Sequence, residues 1–164
     1  MITLGTGVGA GLIIDGKIYL GGKSRGTEYG HMTLDIDGEL CSCGRRGCIE
    51  TLCSGTYLAN EGKSAYGDDA VTAKDVCDRA KAGDEKAVRI FEKYTDNLGA
   101  AVAAYQTLLD PERIAIGGGV SLCGEFLFSP VRKKAQERCF FSPIGDIVPA
   151  ELGNKAGAIG AAYA

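Results

Sequence analysis

Apolar residues recur every three or four positions between Asp84 and Asp110, and this spacing predicts one long amphipathic helix. Pro111 disfavours a helical conformation in the residue before it, so the helix is predicted to end at Asp110. We interpret the apolar face as part of a core. Its residues are Ala87, Ile90, Phe91, Tyr94, Leu98, Ala101, Val102, Tyr105, Leu108 and Leu109.

Shorter patterns predict further helices and several strands. Thr72 is a suitable N-cap for a helix through Val76 to Ala80. Apolar runs on both sides of Asp15-Gly16 predict a β-hairpin with a two-residue turn. The other predictions are a helix from Ser54-Gly55, a helix containing Phe126, Val131 and Ala135, a helix within residues 154–163 packed close to the sheet, and strands at 113–116 and 146–149. These elements predict an α/β fold, and 164 residues with 45% hydrophobic content suffice for the core of one domain.

Charge and composition argue against two classes of partner. A net charge of −3 is unsuited to a nucleic-acid backbone, and the basic run Arg132-Lys133-Lys134 is predicted to be a solvated helix face. No apolar run approaches the roughly 20 residues that span a bilayer. No signal peptide precedes the cysteines, and free thiols would fit a reducing cytosol, so we expect a cytoplasmic protein. The expected free thiols are Cys53, Cys77, Cys123 and Cys139.

The segment from Glu28 to Glu50 contains the only histidine and three of the seven cysteines. His31, Cys41, Cys43 and Cys48 form a set of one imidazole and three thiolates, which suits tetrahedral zinc. Three thiolates on a divalent cation leave a site charge of about −1, which indicates a closed structural site.

Two other interpretations apply to this cluster. A disulfide between Cys41 and Cys43 would be strained because one residue separates them, and seven cysteines are an odd number. A lone histidine is more often a packed or surface residue than a ligand. We favour zinc because the histidine precedes a Cys-x-Cys-x4-Cys cluster, in which Gly44 and Gly47 allow the backbone to curl.

The same segment resembles the signature of the ROK family (repressors, open reading frames and sugar kinases), to which bacterial glucokinases, fructokinases and N-acetylmannosamine kinases belong. The matching residues are Glu28-x-Gly30-His31 and Cys41-x-Cys43-Gly44-x-x-Gly47-Cys48-x-Glu50. The resemblance implies a structural Zn²⁺ on the histidine and the cysteines, and a sugar pocket lined by Glu28, His31 and Glu50. Carboxylates and the second imidazole nitrogen suit the hydroxyls of a hexose or N-acetylhexosamine. Without the resemblance, both glutamates would be interpreted as solvated surface acids.

Two glycine-rich stretches carry the nucleotide prediction. Gly5-Thr6-Gly7 offers unshielded backbone N–H groups and a hydroxyl, while Gly117-Gly118-Gly119 follows a strand, where α/β folds bind ligands. On residue chemistry alone the first stretch is more typical of a turn or bulge, and the second is equally consistent with a tight strand-to-helix turn. The resemblance implies that the first contacts the phosphates of ATP with Mg²⁺ and that the second binds adenosine.

The resemblance covers nearly the whole chain and implies the C-terminal lobe of an actin-like ATPase (ribonuclease H-like) fold, with a zinc-binding loop inserted at residues 28–50. ROK kinases have two lobes, and nothing in this sequence resembles the Asp-x-Gly-x-Thr loop or the Asn-Asp pair of the first. No catalytic residue is therefore assigned here, since the base would be the aspartate of that pair. We expect residues 1–164 to form a single lobe. Without the missing N-terminal lobe, this chain should have little activity alone. The resemblance also implies a homodimer.

Two alternative functions stay open at this point. One is the sugar-sensing lobe of a ROK transcriptional repressor, which would use the same sugar and zinc site. The other is a zinc-stabilised interaction module without a small-molecule ligand. Glu28 and the two glycine stretches favour the kinase. None of these residues identifies the sugar, because the hydroxyls they would contact are common to glucose, mannose and their N-acetylated relatives.

Overall fold

Six short strands and six α-helices make up the fold in residues 1–163. The computed structural model describes these residues without the side chains of residues 154, 157, 158, 161 and 163. The strands are β1 (Ile2–Leu4), β2 (Val8–Ala10), β3 (Ile13–Ile14), β4 (Lys17–Ile18), β5 (Arg113–Gly117) and β6 (Asp146–Pro149). The helices are α1 (Ile49–Cys53), α2 (Gly55–Tyr66), α3 (Ala73–Lys81), α4 (Glu85–Leu109), α5 (Glu125–Arg138) and α6 (Ala156–Tyr163). The predicted α/β class is confirmed.

The larger sheet has the strand order β2-β1-β5-β6 and mixes both strand orientations. β1 and β2 form an antiparallel hairpin in which Leu4 pairs with Val8, so the three residues between them make a tight turn. β1 also pairs in parallel with β5, and β5 pairs in parallel with β6. Ile114, Ile116 and Ile147 are buried together with Leu4, so the sheet contributes its apolar side chains to the core.

The predicted hairpin at Asp15-Gly16 is confirmed, although its strands β3 and β4 are two residues long. Ile13 pairs with Ile18, and Ile14 pairs with Lys17. Both turn residues have positive φ (51° and 74°), as a type I′ turn requires. The turn chemistry of these two residues explains where the chain reverses.

The long predicted helix is α4, and local hydrogen bonds set its boundaries. The Asp84 side chain accepts the N–H of Ala87 at 3.0 Å, and Asp110 ends the helix in the left-handed region with φ 41°. Most of the predicted face is buried, but Leu108 is 64% exposed. α4 packs against α5, α3 and α1 and is the central helix of the core. Among the described residues, no helix combines the length and the apolarity needed to cross a membrane.

Local capping also explains where α2 and α3 begin. Ser54 accepts the N–H of Tyr57 at 3.1 Å, and Thr72 forms a reciprocal capping box with Asp75. α5, β5 and β6 fall where the sequence predicts them. The sequence does not predict α1, whose five residues are too few to show a helical period. The last predicted helix is present as α6. Its packing against the sheet stays a prediction, because the side chains of residues 157, 158, 161 and 163 lie outside the described residues.

The prediction of four free thiols is wrong for two of them. Cys77 on α3 and Cys123, at the end of a 3-10 turn (Gly119–Cys123), are paired as a disulfide with their Cα atoms 6.4 Å apart. Cys53 and Cys139 are free, the first in the core and the second at the end of α5. The paired cysteines are 46 positions apart in sequence, so only the packing of α3 against the turn brings them together.

The buried side chain of Gln106 on α4 allows a test of how this helix supports the connection into β6. Its amide nitrogen donates to the Gly145 carbonyl at 3.1 Å, and its amide oxygen accepts the Gly145 N–H at 3.2 Å. Gln106→Ala would leave both backbone groups unpaired and open a cavity, so we expect a loss of about 2–4 kcal/mol in the free energy of unfolding by urea. Leu108→Ala, at an exposed position of the same helix, should lose less than about 0.5 kcal/mol. Equal losses would contradict this role for Gln106.

Candidate metal centre and ligand pocket

The side chains of His31, Cys41, Cys43 and Cys48 meet at one point, with their possible ligand atoms all within 4.8 Å of one another. His31 Nδ1 is 3.6 Å from Cys41 Sγ, and Cys43 Sγ is 3.6 Å from Cys48 Sγ. In tetrahedral zinc sites, Zn–S bonds of about 2.3 Å and Zn–N bonds of about 2.0 Å put neighbouring ligand atoms about 3.5–3.8 Å apart. The four residues therefore fit zinc in number, chemistry and spacing, and the zinc ion itself stays a prediction.

The metal segment (residues 28–50) reaches this geometry with little regular secondary structure. Thr33 and Cys48 form an isolated antiparallel bridge, which brings the two ends of the loop together. Gly47, just before Cys48, has φ 63°, and a Cβ at this position would overlap the carbonyl oxygen of Asp35. Only glycine permits this close approach, and the approach fixes where the last cysteine of the cluster lies.

The thiols of Cys43 and Cys48 have different surroundings, which shift their pKa values in opposite directions. Burial raises the pKa of the Cys48 thiol to about 12, and its contact with Cys43 adds to the increase. The backbone N–H of Arg45 stabilises the Cys43 thiolate and lowers the pKa of that thiol to about 7. A buried thiolate at Cys48 is costly without a counter-charge, so the donor set suits a bound cation.

The carboxylate of Glu50 connects the metal segment to the β1–β2 turn. Glu50 lies in the first turn of α1, and its Oε2 accepts the Val8 N–H at 3.0 Å. Gly7 packs against the same carboxylate so closely that a Cβ there would overlap Oε2. The other carboxylate oxygen of Glu50, Oε1, lies 3.9 Å from Cys41 Sγ. This carboxylate is thus fixed between the metal ligands and the turn that joins β1 to β2.

The two other predicted sugar-binding residues lie at the 3-10 turn Tyr29–His31. Glu28 is the exposed residue before this turn, and His31 is half-buried at its end. His31 directs Nδ1 towards Cys41, which leaves Nε2 for a ligand outside the metal centre. The Tyr105 hydroxyl donates to a backbone carbonyl of this turn at 3.2 Å, so α4 helps to hold it in place. Cys41 contacts both His31 and Glu50, which brings these two predicted residues to one site.

A separate cavity of about 520 Å³ lies next to the β1–β2 turn. Gly5 and Thr6 of the turn line it, and so does Gly119 in the 3-10 turn after β5. Gly7 contacts Glu50 instead. Gly117 and Gly118 are not among the lining residues, and Gly118 lies against the backbone of Leu4. The volume is in the usual range for sites that bind small molecules.

Sequence reasoning missed the helical walls of this cavity. Thr56 Oγ1 donates to the Thr6 carbonyl at 2.7 Å, and the Gly55 N–H donates to the Gly5 carbonyl at 2.7 Å, so the start of α2 anchors the turn. A third wall is formed by α3. Its lining residues are Ala73, Lys74, Cys77, Asp78 and Lys81, preceded by the N-cap Thr72. Their spacing is that of any helix face, so no local signal in the sequence identifies them.

The structure thus combines an α/β fold with a candidate metal centre at the Cys₃His cluster. Comparison with known sequences then gives the family. The sequence matches the ROK family over residues 1–164, and the chain belongs to this family. The family predicted from the motif between Glu28 and Glu50 is confirmed.

Two sugar kinases illustrate the sequence similarity. A glucokinase of Thermotoga maritima is 36% identical over 176 residues, which cover 98% of this chain and 56% of that protein. An N-acetylmannosamine kinase of Haemophilus influenzae is 37% identical over 164 residues, which cover 99% of this chain and 53% of that protein. The chain therefore spans little more than half the length of these relatives.

Two solved structures share the fold. A ROK family glucokinase from Streptomyces griseus, in complex with glucose and AMPPNP, has a TM-score of 0.91 at 34% identity, over 99% of this chain and 58% of that chain. A ROK family transcriptional regulator, a homologue of the E. coli MLC protein, has a TM-score of 0.77 at 27% identity, over 90% of this chain and 40% of that chain. A kinase and a regulator of the family thus share the fold of this chain.

The metal content of the purified chain tests the candidate centre. We expect about one zinc ion per chain by elemental mass spectrometry, because four ligands fit the ion. Cys48→Ser should reduce this to below about 0.1 and lower the melting temperature, since metal binding and folding are coupled. Cys139→Ser removes a free cysteine outside the cluster and should keep the metal. Full zinc content in Cys48→Ser, or unchanged melting after chelation, would contradict the assignment.

Proposed function

We propose that this chain is the C-terminal lobe of an ATP-dependent ROK sugar kinase with an actin-like ATPase fold. In this proposal it supplies part of a hexose or N-acetylhexosamine pocket, a structural zinc ion and the loops that hold ATP with Mg²⁺. The observation that carries the proposal is the position of the Gly5-Thr6-Gly7 turn, which lines the 520 Å³ cavity at one end and contacts Glu50 at the other. The kinase relatives and the glucokinase complex with glucose and AMPPNP support it.

Adjacent donor and acceptor sites are what phosphoryl transfer requires. A three-residue turn spans at most about 10 Å, so phosphates held at Thr6 and a sugar held at Glu50 would be close neighbours. Catalysis of this reaction depends mainly on positioning and on neutralising charge around an in-line attack. The short turn would provide that positioning without any large movement within this lobe.

On the sugar side, we assign the hydroxyl contacts to Glu28, His31 and Glu50. Glu50 uses Oε2 to accept the Val8 N–H, so Oε1 is the atom left for a sugar hydroxyl. His31 would present Nε2 while Nδ1 holds the metal. A zinc ion held by His31 and the three cysteines would have no direct part in the chemistry; it would fix the orientation of the imidazole and of the backbone leading to Glu50.

On the nucleotide side, Gly5 and Thr6 would contact the phosphates, and Gly119 the adenosine. Their backbone lines the cavity, where unshielded N–H groups suit an anion. Gly7, Gly117 and Gly118 would act indirectly, by allowing the close packing that shapes the two turns. Mg²⁺ would neutralise the phosphates of the bound nucleotide.

We assign no catalytic residue in this chain. The sequence contains no match to the Asn-Asp pair that provides the base, and the chain covers little more than half of its kinase relatives. Turnover would therefore need a partner lobe, whereas ligand binding can be measured on this chain. Homodimerisation and a cytoplasmic location belong to the same proposal.

A second candidate function is sugar sensing, as in a ROK transcriptional repressor. It is supported by the shared fold with the ROK family regulator. A sensing lobe would bind sugar and not nucleotide, so titration with AMPPNP distinguishes it from a kinase lobe. A zinc-stabilised interaction module would bind neither ligand.

Glucose titration by calorimetry tests the sugar pocket directly. Glu50→Gln removes the charge that accepts a hydroxyl, so we expect at least about tenfold weaker binding, the equivalent of ~1.5 kcal/mol for a charged hydrogen bond. Glu39→Gln is the matched control, because Glu39 is exposed in the same segment and outside the proposed pocket. If the wild type binds no hexose, or if both variants bind like the wild type, the proposed sugar site is wrong. Parallel titrations with mannose and N-acetylmannosamine would identify the preferred sugar.

The contact between the turn and the carboxylate gives a second test. Gly7→Ala puts a methyl group where Glu50 Oε2 now lies, so the carboxylate must move and glucose binding should fall about tenfold. Gly11→Ala is the control, because a Cβ there meets nothing within 4 Å. Equal glucose affinities for the two variants would show that the sugar site does not depend on this contact.

A further inference from the structure

We propose that Cys77 and Cys123 form a thiol–disulfide switch that changes the affinity of the cavity for nucleotide. This inference rests on the proposed function, because it assumes that the 520 Å³ cavity binds a nucleotide. The two cysteines belong to different walls of that cavity. Cys77 lies on α3, and Cys123 ends the 3-10 turn that follows β5.

The positions of the pair suit reversible oxidation. Their Cα atoms are 6.4 Å apart, within the range of about 4.4–6.8 Å that a disulfide spans. Cys77 is buried, with 2% of its surface exposed, whereas Cys123 is half-buried and borders the cavity. An oxidant entering the cavity would therefore meet Cys123 first, and Cys77 would be in place to resolve the product.

The chemistry needs a two-electron oxidant such as hydrogen peroxide. The Cys123 thiolate attacks the peroxide, breaks the O–O bond and becomes a sulfenic acid with release of hydroxide. The Cys77 sulfur then attacks the sulfenic sulfur, which forms the S–S bond and releases water. In total, two thiols and one peroxide give one disulfide and two waters, and a dithiol reductant reverses the change.

The bond would act on the nucleotide site by joining its two walls. In the paired state, the cavity is open and α3 is linked to the turn that carries Gly119. Reduction removes that link, so binding would have to order the two walls relative to each other. Pre-organised sites bind more tightly because this ordering cost has already been met. We expect the oxidised form to bind nucleotide more tightly than the reduced form.

AMPPNP titration of the zinc-loaded chain tests the switch. One sample is treated with hydrogen peroxide and one with a dithiol reductant, and zinc content is checked in both so that oxidation of the metal ligands is excluded. Peptide mass spectrometry should find the Cys77–Cys123 link in the oxidised sample. We expect affinity for AMPPNP to be about five- to tenfold higher in that sample. By reciprocity, saturating AMPPNP should make the disulfide harder to reduce by the same factor.

Two variants make the result specific. Cys123→Ala, at the less buried position, should bind AMPPNP with the same affinity after peroxide and after dithiol treatment. Cys139→Ala should show the same change in affinity between the two treatments as the wild type. Equal affinity in oxidised and reduced wild type, or oxidation without a Cys77–Cys123 link, would overturn the switch. Absence of AMPPNP binding in both states would instead overturn the nucleotide site of the proposed function, and the coupling with it.

Discussion

The carboxylate of Glu50, held against Gly7 and hydrogen-bonded to the Val8 N–H, is the contact on which the arrangement of the site depends. It joins a loop-rich segment to the first hairpin of the sheet. A side chain at position 7 would displace the carboxylate, and a neutral or shorter group at position 50 would lose the charged hydrogen bond. This contact fixes the position of the candidate metal centre relative to the 520 Å³ cavity.

The metal segment has few other means of holding its shape. Apart from a 3-10 turn and isolated bridges, residues 28–48 form no regular element, and most of the side chains between Asp35 and Arg46 are exposed. Such a segment buries too little apolar surface to offset the entropy of ordering its backbone. A metal ion bound by four side chains can supply the missing free energy, as in small metal-stabilised domains. This explains why the cluster would matter for ligand binding even though the metal ion itself would not take part in the reaction.

The cavity, in contrast, is built from well-packed elements. α2 anchors the β1–β2 turn through Gly55 and Thr56, and α3 contributes a wall that is itself packed on α4. The 3-10 turn after β5 completes it, and the cysteine pair joins this turn to α3. Core packing therefore shapes the cavity, whereas the metal segment has little packing of its own.

The sequence alone was sufficient for the helices that have their own caps, for the hairpin at Asp15-Gly16 and for the Cys₃His set, because each is encoded within a few neighbouring residues. Helical period, capping side chains and turn glycines act over one or two turns of backbone, so their signals are local. The hydrogen bond between Val8 and Glu50 joins residues 42 positions apart, and the Cys77–Cys123 pair joins residues 46 positions apart. The α3 wall of the cavity also has no motif of its own. Only tertiary packing decides these contacts, since they depend on how the finished helices and strands lie against one another.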